Sequence, residues 1–156
     1  NADSDTIVID FTHAPMVDLG NDSILCNGTA LVLDGWDTLS TFLWNTGDTV
    51  STISVNASGN FWVSTVNLCG ADTDSIQLWF IDPPTVTLGN DTILCPNATI
   101  VLRDSSSAFA TYSWNSGSGF DSTLVAWPGV YQLTVTNVCG VASDTVEVWY
   151  DNSPVT

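Results

Sequence analysis

Apolar and polar residues alternate along this chain in short runs, and clusters of Gly, Asn, Asp and Ser separate the runs. Alternation with period two marks strands with one buried face, and no window holds the 3.6-residue period of a helix over helical length. The pattern predicts strands near 16–19, 29–33, 41–45, 52–56, 59–67 and 73–81, then near 85–88, 99–102, 111–115, 123–126, 130–137 and 144–150. Short strands at this density predict an all-β sandwich. Alternation also assigns faces, because successive side chains point to opposite sides of a sheet. Phe61, Val63, Ile76, Leu78 and Phe80 fall on the inward face, with Tyr131, Leu133, Val146, Val148 and Tyr150. Trp62, Trp79 and Trp149 fall on the outward face.

The two sets of runs are copies of one another. "VDLGNDSILC" at Val17–Cys26 returns as "VTLGNDTILC" at Val86–Cys95, and "LWNTG" around Trp44 returns as "SWNSG" around Trp114. "GNFWVSTVNLCG" ending at Gly70 returns as "GVYQLTVTNVCG" ending at Gly140. The final segment, "DSIQLWFIDPP" and then "DTVEVWYDNSP", has a third copy at the front, "SDTIVIDFTHAP". Self-similarity at a fixed period is the signature of a repeat architecture. The expected organisation is therefore the last strand of a preceding repeat over 1–14, one repeat over 15–83, a second over 84–153, and the start of a next repeat or linker over 154–156. This phase implies a tandem array, with Pro-containing joints at Pro15, Pro83–Pro84 and Pro154 acting as short stiff linkers. The first residue is Asn1 and the sole Met is Met16, so the expectation is a chain processed at its start or taken from within a longer protein.

Charge narrows the partners. The chain carries 17 acidic residues, all Asp except Glu147, against the single basic residue Arg103, for a formal net charge of −16. Nucleic acid and anionic membrane surfaces are excluded, since both are bound through Lys and Arg. Disorder is excluded too: at 44% hydrophobic with seven Trp, the chain can bury a core. No apolar run is long enough for a membrane-spanning helix.

The four Cys form a repeated pair of positions, Cys26 with Cys69 and Cys95 with Cys139. Three pairings exist in principle. The repeat favours Cys26–Cys69 and Cys95–Cys139, each closing a loop of about 45 residues worth ~4 kcal/mol. Such bonds belong to an oxidising compartment. A zinc site is the alternative, but each repeat offers two Cys, and the sole His is His13. Trp44 and Trp114 lie between the cysteines of their repeats, the order found in immunoglobulin domains, where such a Trp packs on an inter-sheet disulfide.

On these residues the chain resembles the Ig-like or PKD-like tandem repeats of large secreted surface proteins of Bacteroidota, of the gliding-motility adhesin type exported by the type IX secretion route. The string LGND(S/T)ILC…WN(T/S)G…N-x-CG…D(S/T)(I/V) carries the likeness over the whole chain. The resemblance implies tandem immunoglobulin-like sandwiches, a cell-surface adhesin or filament, and no catalysis. It also implies O-glycosylation at Asp-(Ser/Thr)-aliphatic, which occurs here at Thr6, Ser23, Thr38, Thr49, Ser75, Thr92 and Thr145. The plain reading of those same strings is a turn entering a strand. Asn-x-(Ser/Thr) also occurs, at Asn21, Asn27, Asn56, Asn90 and Asn97.

Little else carries chemistry. One His, no Lys and an unrepeated Arg103 cannot assemble a nucleophile with its base, so no enzyme is expected and no cofactor is required. Calcium is the one cofactor the carboxylates suggest, through Asp22, Asp91 and the joint residue Asp82, since it takes six to eight oxygen ligands. The competing and favoured reading of Gly-Asn-Asp is an ordinary turn. Trp62, Trp79 and Trp149 form a candidate outward patch for packing or for glycans. The expected function is a stiff extracellular spacer or filament segment for adhesion or motility, partnered by neighbouring repeats of the same protein or a homopolymer. The alternative is a carbohydrate-binding module of a secreted protein.

Overall fold

The computed structural model describes residues 5–7, 12–104 and 107–151. Among them there are twelve strands and no helix: β1 Ser23–Cys26, β2 Leu31–Asp34, β3 Thr41–Trp44, β4 Thr52–Val55, β5 Gly59–Asn67, β6 Gly70–Ile81, β7 Thr92–Leu94, β8 Ile100–Arg103, β9 Thr111–Trp114, β10 Ser122–Val125, β11 Gly129–Asn137 and β12 Gly140–Tyr150. The repeat seen in the sequence is a repeat of topology. A four-stranded sheet ordered β1-β6-β5-β3 is accompanied by the pair β2-β4, and β7-β12-β11-β9 is accompanied by β10-β8. Hairpins β5–β6 and β11–β12 run antiparallel through tight turns, Asn67 opposite Gly70 and Asn137 opposite Gly140. The edge strand β7 joins β12 in parallel, with Leu94 opposite Tyr150.

Alternation placed the core. Val63, Ile76, Leu78 and Phe80 of the first repeat are buried, as are Leu33, Trp44, Ile53 and Val55. In the second, Leu102, Trp114, Val125, Leu133, Val135, Val146 and Val148 form one cluster, with Tyr112, Tyr131 and Tyr150 packed against it. Each buried aliphatic side chain contributes about 1.5–3 kcal/mol relative to exposure.

The turn after Trp44 shows why "WN(T/S)G" recurs. Gly47 takes φ +90° and its N–H donates to Trp44 O, while Trp44 N–H donates to Asp48 O. Asn45 then ties the turn to β5: its Nδ2 donates to Asn60 O, and its Oδ1 accepts Trp62 N–H. Gly117 and Asn115 repeat the arrangement, with Nδ2 of Asn115 donating to Val130 O and Oδ1 accepting Gln132 N–H. A side chain at either Gly would be strained, because positive φ crowds Cβ.

The strands expected at 16–19 and 85–88 are absent as ladder strands, and the strands β1 and β7 fall outside the predicted strand ranges, just after the Gly-Asn-Asp turns. Of the leading segment 1–14, residues 5–7 and 12–14 lie in no strand, and the rest falls outside the described residues, as does 154–156. By compactness the chain divides into one unit of Asn1–Ser23 with Gly28–Trp79 and another of Ile24–Asn27 with Phe80–Thr156.

The expected cysteine pairing is wrong. Cys26 is bonded to Cys139, with Cα atoms 5.4 Å apart and a separation of 113 positions in sequence, while Cys69 and Cys95 are free thiols. The reason is strand length. Cys26 ends β1 beside the far end of β6, where Asn27 N–H donates to Ile81 O at 2.8 Å. Cys69 sits at the near end, just before Gly70. The 12 residues of β6 hold those ends roughly 36 Å apart at about 3.3 Å per residue, and a disulfide needs Cα atoms within about 7 Å. The 11 residues of β12 separate Cys95 from Cys139 in the same way. Cys26–Cys139 thus joins the first sequence repeat to the second, inside the compact unit that takes up Ile24–Asn27.

Candidate functional site

The carboxylates are largely engaged with the backbone. Asp72 Oδ2 accepts Val17 N–H at 2.9 Å and Asp74 Oδ2 accepts Leu19 N–H at 2.7 Å. The segment 16–19 therefore lies against β6 through side-chain acceptors, which is why it carries no ladder. Asp144 repeats the contact with Leu88 N–H at 2.8 Å. Ala142 stands where Asp72 does, so the second repeat has one such acceptor where the first has two.

The residues proposed for calcium are used similarly. Asp22 Oδ1 accepts Gln77 N–H, and Asp91 Oδ1 accepts Glu147 N–H, both at 2.9 Å. Asp82 Oδ1 accepts Nδ2 of Asn27 at 2.8 Å. Among the described residues, no group of three or more His, Cys, Asp or Glu side chains is close enough to share a metal ion.

The outward tryptophans are placed as alternation required. Trp62 is 37% exposed and Trp149 41%, whereas Trp79 is only partly exposed. Trp62 lies opposite Ser75, and Trp79 lies four residues further along β6, beyond Gln77, roughly 13 Å away. Trp149 lies opposite Ile93, itself exposed. Trp44 and Trp114 are core residues, 1% and 3% exposed, and their indole N–H groups donate to Val50 O and Phe120 O. No disulfide of their own repeat lies behind them, contrary to the immunoglobulin pattern.

Sequence reasoning passed over a depression of about 830 Å³ in the first repeat, lined by Asp34, Trp36, Asp37, Thr38, Ser40, Phe42, Thr49 and Ser51. Trp36 is 79% exposed and held at φ +46°, a strained conformation for a bulky residue. Asp34 Oδ1 fixes it by accepting Trp36 N–H at 3.0 Å. Asp37 accepts Ser40 Oγ–H at 2.6 Å and Leu39 N–H at 3.0 Å. The Ser40 hydroxyl first, and then the Leu39 N–H, hold the Asp37 carboxyl below its ordinary range. An indole face beside two carboxylates suits a neutral polyhydroxyl ligand or a cation and repels anions. The missed signal was Asp-Gly-Trp-Asp within a loop, a Trp where turn residues belong.

Of the Asp-(Ser/Thr)-aliphatic positions, Thr6, Thr38, Thr49, Ser75 and Thr145 are exposed, while Ser23 and Thr92 are partly covered in the edge strands β1 and β7. Thr38 and Thr49 both line the Trp36 depression.

No family model and no curated protein matches the chain. Solved structures do match. An I-band fragment of titin is 14% identical with a TM-score of 0.58, covering 90% of this chain and 66% of that one. A fragment of Dscam1 isoform 6.44 comprising four N-terminal Ig domains is 16% identical with a TM-score of 0.65, covering 92% of this chain and 47% of that one. The corresponding fragment of isoform 1.9 gives 14% and 0.63, covering 89% and 46%. The chain thus spans just under two thirds of the titin fragment and less than half of the Dscam1 fragments. At these identities the likeness establishes architecture, and the chain has the fold of tandem immunoglobulin-like domains.

Proposed function

We propose that this chain is a structural repeat segment of an extracellular surface adhesin or filament, a spacer that positions other parts of its parent protein. The observation that carries this reading is the Cys26–Cys139 bond, which ties a cysteine of the first sequence repeat to one of the second. The polar inventory supports it: repeated Asp, Asn and Trp side chains are engaged in holding strands and turns. The Cys26–Cys139 disulfide, which needs an oxidising compartment, agrees with an extracellular location. The resemblance to Bacteroidota surface repeats, with export by the type IX route and glycosylation at exposed Asp-Thr and Asp-Ser positions, belongs to the same proposal. Neighbouring repeats of the same protein are its natural partners.

A second reading rests on the Trp36 depression: a carbohydrate-binding module, with the indole stacking on a sugar ring and Asp34 and Asp37 accepting its hydroxyls. A glycan-binding panel with the folded chain separates the two. The spacer reading expects no saturable binding. Saturable binding abolished by Trp36→Ala, or by Trp62→Ala, replaces it with the carbohydrate reading. Calcium is tested alongside: an unchanged melting temperature in chelator is expected, and a fall would assign the carboxylates to a cation.

A further inference from the structure

We propose that Cys69 and Cys95 are the two halves of a second joint of the Cys26–Cys139 kind, closed between separate copies of this unit, Cys95 of one copy to Cys69 of the next. This deepens the structural-repeat reading and rests on it.

The surroundings of the bonded Cys139 recur at Cys69. Cys139 N–H donates to Asn137 Oδ1 at 2.8 Å, Asn137 Nδ2 donates to Asp82 O at 3.0 Å, and Cys139 Sγ lies 3.6 Å from Ile81 O. In the first repeat Cys69 N–H donates to Asn67 Oδ1 at 2.8 Å, Asn67 Nδ2 donates to His13 O at 2.8 Å, and the Cys69 thiol meets Thr12 O at 3.1 Å. Thr12 and His13 stand 69 residues before Ile81 and Asp82, at the same repeat positions. The hairpin is thus set against the preceding joint in both repeats, and only one has its sulfur partner.

Cys95 answers from the other side. It follows β7 as Cys26 closes β1, and the same two strand ends are joined in each repeat, by Asn27 N–H donating to Ile81 O in the first and by Asp151 N–H, at the position of Ile81, donating to Leu94 O at 2.9 Å in the second. Beside it Pro96, Ala98, Trp127 and Tyr150 line an open hollow of about 440 Å³. Asn27 and Phe80 are the repeat counterparts of Pro96 and Tyr150. At the bonded joint they share a hollow with the joint residues Pro83 and Pro84 and with Ala108 of the repeat that supplies Cys139. The occupant fitted to the hollow at Cys95 is therefore the same surface of another copy, brought with its Cys69.

Bond formation is a thiol–disulfide exchange with a small-molecule disulfide as oxidant. The Cys95 thiolate attacks one sulfur of that disulfide and expels one small thiolate. The Cys69 thiolate of the next copy then attacks the Cys95 sulfur and expels the second. Two protein thiols lose two protons and two electrons, and one disulfide becomes two thiols.

The test uses the full chain with Cys26–Cys139 intact, incubated with oxidised glutathione and followed by non-reducing electrophoresis and peptide mass mapping. A ladder of dimers and longer species, with Cys69–Cys95 as the dominant intermolecular link, is expected. Cys69→Ala and Cys95→Ala should each stay monomeric alone and give dimers, and nothing longer, when mixed. Dimerisation of either variant alone at the rate of the mixture overturns the proposal. So does a wild-type chain that stays monomeric, or a map showing Cys26–Cys69 with Cys95–Cys139. Failure here leaves the glycan panel blank and the spacer reading standing, whereas saturable glycan binding removes that reading without altering the linkage map.

Discussion

Leu19 N–H and Leu88 N–H reach carboxylates rather than carbonyls, at Asp74 and Asp144. Each is a charge-assisted, partly buried hydrogen bond, the kind worth about 1.5–3 kcal/mol. Asp74→Ala should therefore cost about 1–3 kcal/mol in denaturant unfolding, and Asp144→Ala a similar amount, because each leaves a backbone donor with no acceptor at that place. Thr65 behaves in the opposite sense. It is fully buried, its hydroxyl reaches Asp72 O only at 3.4 Å, and the second repeat has Val135 at the same position, equally buried. Thr65→Val should hold or raise stability, by up to about 1 kcal/mol, since a weakly bonded hydroxyl is exchanged for a methyl of the same shape; a loss in the same unfolding assay would show that the bond matters. Tyr112 gives a pH handle. Desolvation, and then the Asp104 and Asp121 charges, raise its phenol above the ordinary range. The folded chain then holds that proton more tightly than the unfolded one. The stabilisation is complete below the ordinary Tyr range, near pH 10, and declines as pH rises through the raised value. Absorbance titration near 295 nm should show a late phenol phase that is lost in Tyr112→Phe and moved earlier in Asp104→Asn.

The long strands were the legible elements. β5, β6, β11 and β12 run nine to twelve residues, long enough for alternation to set both register and face. Val63, Ile76 and Leu78 lie inward and Trp62 outward, as the period requires. The edge strands β1 and β7, four and three residues long, give no period to read. They also follow a Gly-Asn-Asp string that reads equally well as a turn. The segments at 16–19 and 85–88 alternate like strands, but Val17, Leu19 and Leu88 give their N–H groups to carboxylates rather than to a ladder, a distinction periodicity cannot make. The cysteines failed for a related reason. Repeat symmetry shows that two positions recur, and it is silent on which end of a strand each occupies; β6 and β12 place them at opposite ends. The Trp36 loop was illegible because its character lies in a positive φ and in Asp34 and Asp37 folding back on their own backbone, neither of which alters the hydrophobic pattern.

For the molecule as a whole, the Cys26–Cys139 bond closes more than two thirds of the chain into one covalent ring, its ends 113 positions apart in sequence. By loop-closure entropy such a ring contributes about 4–5 kcal/mol. Reduction should lower the melting temperature measurably, while Cys69→Ala and Cys95→Ala leave it near the parent value. The ring also fixes how far this segment can lengthen under tension. Pulled from its two ends while oxidised, the chain transmits load across the sulfur bridge, and nothing between Cys26 and Cys139 can pay out. Reduced, the same stretch releases roughly 370–400 Å at about 3.3–3.6 Å per residue. The redox state of one bond therefore decides whether this segment behaves as an inextensible tether or as a shock absorber.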